Sequence, residues 1–127
     1  MTVAARAASC DPADDPGDDP EVREGHSMSF TQIIEIDGVQ DEQAVHDHLA
    51  TWHAEQYGVA PGYQGCRVLA DQEVPGRYLI EVDFSSEEEA KRNDARPETE
   101  AWAARTRELA GSDPTHRNLR QVCTTFA

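Results

Sequence analysis

The chain of 127 residues has the length of a single domain. It carries 25 Asp and Glu against 11 Lys and Arg, a formal net charge of −14, which argues against a nucleic acid or an anionic membrane surface as its partner. No apolar run approaches the roughly 20 residues that span a bilayer. The start of the chain does not resemble a secretory signal, so the expected location is the cytoplasm.

Residues 1–27 form an acidic leader with seven acidic residues, two Arg and no aromatic residue. Such a segment buries too little apolar surface to offset the entropy lost on ordering, so we expect it to be disordered. A second interpretation is that the leader is not translated. The folded pattern begins at Met28, and Arg23-Glu24-Gly25 can be encoded by a purine-rich ribosome-binding sequence. We therefore assign the domain to residues 28–127.

The first part of the domain predicts a strand followed by a helix. Phe30–Ile36 is rich in β-formers and ends at the turn signal Asp37-Gly38. Asp41 is the predicted N-cap of the helix, which ends near Tyr57-Gly58. One face of this helix carries a stripe at helical spacing, formed by Val45, Leu49, Trp52 and Gln56.

A loop and a hairpin come next. The loop is predicted over Ala60–Gly65, and the first hairpin strand over Arg67–Ala70. Val74-Pro75-Gly76-Arg77 has the composition of a type II turn. The second strand, Tyr78–Phe84, alternates between apolar and polar side chains.

The last third of the chain predicts a broken helix and a final strand. Ser85-Ser86 begins the helix with a capping-box pattern, and the helix breaks around Asn93 to Arg96. Pro97 restarts it as a first-turn proline. Residues on one stripe of the restarted helix are Trp102, Arg105 and Leu109. Leu119–Phe126 is the predicted final strand.

This β-α-β-β-α-β order predicts an α+β, ferredoxin-like fold with an antiparallel sheet and two helices on one face. The side chains expected to face the helices are Phe30, Ile34, Tyr78, Ile80, Val82 and Phe84. The opposite face mixes Glu35 and Glu81 with Ile33, Leu69 and Leu79, which is much apolar surface to leave in water. A second copy would cover it and supplement a small core, so we expect a homodimer.

Three segments resemble the antibiotic biosynthesis monooxygenase (ABM) family of the dimeric α+β barrel superfamily. They are Pro61-Gly62-Tyr63-Gln64-Gly65-Cys66-Arg67-Val68, Pro75-Gly76-Arg77-Tyr78-Leu79-Ile80-Glu81 and Arg96-Pro97-Glu98-Thr99-Glu100-Ala101-Trp102. The resemblance covers nearly the whole domain and implies a dimeric α+β barrel. It also implies cofactor-independent oxygenation of a small aromatic or polyketide-type substrate in secondary metabolism. In such oxygenases an acidic C–H or phenol is deprotonated in an apolar cleft, and the anion passes an electron to O₂.

Two other functions stay open at this point. A cyclase or isomerase would use the same cleft, base and donors without O₂, and a non-catalytic binding module would need no titrating group. Haem degradation fits less well. The haem-degrading members resemble a pattern with Asn on the first strand and His on the second helix, whereas this chain has Gln32 and no His in residues 86–110.

The candidate site residues are of two kinds. His53 flanks the helical stripe, and an imidazole suits proton transfer near neutral pH, so it is the candidate base. Gln32 is polar on a largely apolar face, and Tyr78 begins the inward face of the hairpin, so either could bind a substrate oxygen. The catalytic candidates are therefore His53, Gln32 and Tyr78. The substrate-binding candidates are Trp52, Trp102, Tyr63, Asn93 and Arg96.

Each candidate also has a structural alternative. The alternative for His53 is a solvated side chain on the helix surface, and for Gln32 an amide with structural hydrogen-bond partners. It is core packing for the aromatic residues, and capping or surface charge for Asn93 and Arg96. On the first helix His48 lies four residues before Trp52, which makes them neighbours. His46, His48 and His53 are separated by two and five residues, whereas metal-binding imidazoles prefer three or four. We therefore expect no metal site, and the ABM resemblance implies that no other cofactor is needed.

Overall fold

The computed structural model describes residues 29–125. Within that range, four strands and three helices follow one another as β1 (Phe30–Ile36), α1 (Glu42–Gln56), β2 (Tyr63–Ala70), β3 (Tyr78–Phe84), α2 (Glu87–Asp94), α3 (Pro97–Leu109) and β4 (Thr115–Arg120). The acidic leader predicted for residues 1–27 lies outside the described residues.

The four strands form one sheet in the order β2-β3-β1-β4, and every neighbouring pair is antiparallel. This is the strand order of the ferredoxin-like fold, so the predicted α+β class is confirmed. No helix within residues 29–125 is long and apolar enough to cross a membrane.

Helix α1 forms where its capping residue and its stripe predict. The side chain of Asp41 accepts a hydrogen bond from the backbone N–H of Ala44 at 3.3 Å, which satisfies one of the free N–H groups at the helix start. The buried residues of α1 are the four of the predicted stripe: Val45, Leu49, Trp52 and Gln56. The helix therefore presents one narrow face to the rest of the domain.

The second helix is broken into α2 and α3, as predicted. Asn93 is 3% exposed, and its Oδ1 accepts hydrogen bonds from Arg96 Nη1 and Thr99 Oγ1, each at 3.0 Å. Pro97 occupies the first turn of α3, where its missing N–H costs no hydrogen bond. These contacts fix the change of direction between the two helices.

Two predicted strand boundaries were wrong. β2 begins at Tyr63 instead of Arg67, because a register shift between Tyr63 and Gly65 lets part of the expected loop pair with β3. β4 spans Thr115–Arg120, whereas the predicted strand was Leu119–Phe126. Phe126 lies outside the described residues. All six β4 residues are exposed, so this edge strand has no buried face that would mark its position in the sequence.

The inner face of the sheet forms the core under α1. Ile80 and Phe84 of β3 are at most 1% exposed, and Ile36, which was not predicted to be inward-facing, is completely buried. Tyr78 is only partly buried and packs at the edge of this core. The remaining predicted inward residues are also buried: Phe30, Ile34 and Val82.

Candidate functional site

Helices α1 and α3 meet through their tryptophans. The rings of Trp52 and Trp102 lie 5.3 Å apart between centroids, with their planes tilted by 44°. Trp52 also contacts Tyr63 of β2 edge-on, at 6.2 Å between centroids. The structure thus brings three of the predicted substrate-binding residues into one aromatic cluster.

A cavity of about 310 Å³ opens beside this cluster, between α1 and α3. That volume is at the lower end of the range typical of small-molecule sites. An adjoining groove of about 400 Å³ shares His48, Thr51 and Arg105 with the cavity, so the two are continuous along the helix pair. The cavity residues used below are His48, Trp52, Gln56, Glu98, Trp102 and Arg105.

Two buried polar atoms of the cavity residues have no hydrogen-bond partner within residues 29–125. They are Trp102 Nε1, a donor, and Gln56 Oε1, an acceptor. A buried polar group without a partner costs about 1–3 kcal/mol. Trp102 was predicted to bind substrate, and the structure leaves its indole N–H unpaired. Gln56 was recognised only as part of the helical stripe.

His48 packs flat on Trp102, at 4.9 Å between ring centroids and an interplanar angle of 11°. Its Nε2 lies 2.8 Å from Oγ1 of Thr106, which is 2% exposed. Burial lowers the pKa of His48 to about 4, and the positive charge of Arg105 contributes, while the backbone carbonyl of Trp102 opposes the shift. The ring is therefore neutral near pH 7.

Sequence reasoning did not select His48 or Thr106 as site residues. The available signal was the spacing of four residues between His48 and Trp52, which puts both on one side of α1. Thr106 is separated from His48 by 58 positions, so no local pattern connects the two.

A second polar group lies on the other side of Trp52. His53 Nδ1 is 2.8 Å from Tyr63 Oη, and the Tyr63 hydroxyl donates to Cys66 Sγ at 3.2 Å. Burial is the main cause that raises the pKa of Tyr63, so the phenol stays protonated and serves as a donor. Burial also raises the pKa of the Cys66 thiol. The candidate base His53 is exposed to solvent on the rest of its ring.

The other candidates contact different partners. Tyr78 donates to Glu42 Oε1 at 2.7 Å, at the start of α1 and roughly 16 Å along the helix from His53. Gln32 donates from Nε2 to Asn118 Oδ1 of β4 at 3.2 Å. Asn93 and Arg96 bind each other at the helix break, as described above. The structure does not bring these four residues into the tryptophan cluster.

Within residues 29–125, no three His, Cys, Asp or Glu side chains are grouped so that they could hold a metal ion. No protein-family model matches the sequence, and no curated protein matches it.

The fold defines the chain as an α+β protein of the ferredoxin-like class, and solved structures share it. One is a mutant form of SnoaB, a cofactor-independent oxygenase from Streptomyces nogalater. It is 17% identical in sequence, and the match has a TM-score of 0.61 and covers 76% of this chain and 95% of that one. Another, from Caulobacter crescentus CB15, is named as a candidate antibiotic biosynthesis monooxygenase. It is 14% identical in sequence, and the match has a TM-score of 0.61 and covers 80% of this chain and 96% of that one. A third is an ethyl tert-butyl ether d (ethd) family protein from Bacillus halodurans C-125. It is 21% identical in sequence, and the match has a TM-score of 0.56 and covers 74% of this chain and 99% of that one.

These comparisons confirm the α+β, ferredoxin-like fold of the single chain that the ABM resemblance implied. The identities of the three structures are all low, so the likeness establishes the fold alone. The chemistry of this chain has to be argued from its own residues.

Proposed function

We propose that this protein is a small-molecule oxygenase that resembles the ABM monooxygenases and acts without a resident cofactor. Its substrate is a flat, enolisable aromatic or polyketide-type molecule of secondary metabolism. The observation that carries the proposal is the cavity beside Trp52 and Trp102, where indole surface meets a buried, unpaired indole N–H. The likeness in fold to SnoaB, which is named a cofactor-independent oxygenase, supports it.

The cavity can stabilise a substrate anion. Trp102, whose Nε1–H is unpaired, lines the cavity, and we propose that this N–H donates to the oxygen of an enolate; the guanidinium of Arg105 brings positive charge to the same cavity. Donors and charges aimed at a developing oxyanion favour its formation, and more so where water is excluded. The anion then transfers an electron to O₂, and the two radicals combine at carbon. For a methylene substrate, one oxygen atom becomes the carbonyl and the other leaves as water with the two hydrogens.

We propose His53 as the proton acceptor of this reaction; His53 does not line the cavity, so the substrate's proton reaches it through water. Tyr63, its hydrogen-bond partner, packs on Trp52, so His53 links the aromatic cluster to solvent. When the single hydroxyl hydrogen of Tyr63 is donated to Cys66, His53 must donate from Nδ1, which leaves a lone pair on its Nε2. That nitrogen can accept a proton and exchange it with water.

We further propose that the protein is a cytoplasmic homodimer joined through the outer face of the sheet. Leu69 and Leu119 on that face are 42% and 43% exposed. They are flanked by ion pairs, one between Arg67 and Glu81 and one between Glu35 and Arg117. Leu69 lies on the edge strand β2 and Leu119 on the opposite edge strand β4, so a second copy that covers the whole outer face would remove both side chains from water.

Oxygen uptake by metal-stripped protein tests the proposed function. The substrates are a small panel of anthrones and hydroxynaphthalenes, with chelator present and a no-protein control. We expect uptake above the control rate that chelator does not reduce. A changed substrate spectrum without oxygen uptake would replace the proposal with a cyclase or isomerase. Neither signal, together with substrate binding, would identify a binding module.

A further inference from the structure

The hydrogen bonds around Thr106 determine where His48 carries its hydrogen. Thr106 has one hydroxyl hydrogen, and it donates this hydrogen to the backbone carbonyl of Trp102 at 2.8 Å. Its Oγ1 can therefore only accept from His48 Nε2, which lies 2.8 Å away. The nearby Trp102 carbonyl, an acceptor with no hydrogen of its own, also favours a hydrogen on the ring.

The surroundings of His48 keep the ring neutral. It is partly buried, stacked on the Trp102 indole and close to the positive charge of Arg105. The carboxylates that line the same cavity and groove are Asp41, Asp47, Glu55 and Glu98, and none of them is hydrogen-bonded to His48. A neutral ring with its hydrogen on Nε2 has a lone pair on Nδ1. Within residues 29–125, no group donates to that nitrogen.

We infer that His48 Nδ1 is a hydrogen-bond acceptor that makes this cavity select a ligand with a free aromatic hydroxyl group. The inference uses the proposed function only for the place where the ligand binds. His48 lines both the cavity and the groove, so the residue lies where the two join.

The other unpaired atoms complete the ligand's description. Trp102 Nε1–H requires an acceptor, and Gln56 Oε1 requires a donor. The protein thus offers one donor, Trp102, and two acceptors, His48 and Gln56. A planar hydroxyaryl ketone matches them, because its carbonyl accepts from Trp102 and its hydroxyl groups donate to His48 and Gln56. A methyl ether of the same ring keeps the shape and loses a donor, and the protein acceptor is then left unpaired.

The first part of the test reads the hydrogen position directly. Long-range ¹H–¹⁵N correlation spectra of ¹⁵N-labelled protein near neutral pH distinguish the two neutral tautomers from the charged ring. We expect the Nε2–H tautomer at His48, and a mixture of tautomers in Thr106→Val, which removes the fixed acceptor. An Nδ1–H tautomer or a charged His48 in the unaltered protein would overturn the inference.

The second part measures binding by the quenching of tryptophan fluorescence. The probes are 6-hydroxy-2-acetonaphthone and its methyl ether, 6-methoxy-2-acetonaphthone. We expect the hydroxy ketone to bind about tenfold more tightly, the effect of one hydrogen bond. The preference should disappear in His48→Phe, which keeps an aromatic ring on Trp102, and persist in His46→Phe, on the same helix but outside the cavity. Thr106→Val, which keeps the imidazole, should reduce the preference if His48→Phe does not fold.

Equal binding of the two ketones, or binding of neither, would overturn the inference, whether or not the protein takes up oxygen. A hydroxyl preference without oxygen uptake would overturn the proposed oxygenase and leave this selective site standing. The two claims can therefore fail separately.

Discussion

The indole rings of Trp52 and Trp102 lie 5.3 Å apart, so helices α1 and α3 meet through their two largest side chains. On one side of this contact is the cavity, with His48 stacked on Trp102. On the other side Tyr63 packs edge-on against Trp52 and binds His53. The tryptophan pair is therefore the element that joins the two polar groups of the candidate site.

Gly62→Ala should destabilise the protein by about 2–3 kcal/mol. Gly62 has φ = +66°, where a side chain is strained, and a Cβ there would overlap the side chain of Glu89 and lie 2.8 Å from Ser85 Oγ. Gly65→Ala is the matched control, since a Cβ at Gly65 meets nothing within 4 Å. Urea unfolding of both variants measures the difference, and equal stabilities would contradict this explanation of the Pro-Gly-Tyr segment.

Asn93→Ala should cost about 2 kcal/mol, because it leaves Arg96 and Thr99 without their shared buried acceptor. Thr99→Val removes one of the two hydrogen bonds and should cost about 1 kcal/mol. Chemical denaturation gives both values. A loss of turnover in Asn93→Ala at unchanged stability would instead place Asn93 in contact with substrate.

Acid should destabilise the protein partly through His48. Its pKa falls from 6.5 to about 4 on folding, so between these values the unfolded chain takes up a proton that the folded chain does not. Stability is therefore lost as the pH falls through this window. The full difference corresponds to roughly 3 kcal/mol, and partial exposure of the ring reduces the expected loss to roughly 2 kcal/mol.

Urea unfolding at a series of pH values tests this dependence. The stability of His48→Phe should fall less steeply than that of the unaltered protein between pH 6.5 and about 4. The control His46→Gln changes an exposed imidazole on the same helix and keeps His48. Its stability should fall with pH as steeply as that of the unaltered protein between pH 6.5 and about 4. Identical slopes for the unaltered protein and His48→Phe would show that His48 does not titrate differently on folding.

Leu69→Glu should convert the proposed dimer to monomer by placing a charge on the outer sheet face, in the edge strand β2. Ala70→Glu adds the same charge at the next residue of the strand, which is exposed and alternates to the opposite face of the sheet, and should leave the assembly unchanged. Sedimentation velocity at micromolar concentration measures both. A monomer in the unaltered protein would contradict the proposed interface.

Much of the framework could be predicted because its signals are local. The stripe on α1 has helical spacing, Asp41 has the side chain of an N-cap, and Pro97 can only begin a helix at that point of the chain. The turn at Val74–Arg77 forms with Gly76 at φ = +85°, as its composition requires. Together these elements predicted the β-α-β-β-α-β order, and with it the α+β fold class.

The parts that could not be predicted depend on long-range partners. β4 is an edge strand whose pairing with β1 fixes its position, since both of its faces are exposed and its sequence has no strand pattern. The contact between His48 and Thr106 arises from the packing of α1 on α3. The position of His53 beside Tyr63 likewise depends on where β2 begins, which the bulge at Gly65 shifts.

Oxygen uptake by Trp102→Phe tests most directly the claim that the cavity between α1 and α3 is the site of oxygenation. The substitution keeps an aromatic ring and removes the unpaired N–H. We expect substrate binding to weaken by about tenfold or less, and turnover to fall by roughly 10²-fold, the usual effect of losing one oxyanion donor. Turnover at the rate of the unaltered protein would show that Trp102 Nε1–H does not stabilise the substrate anion, and that oxygenation occurs elsewhere.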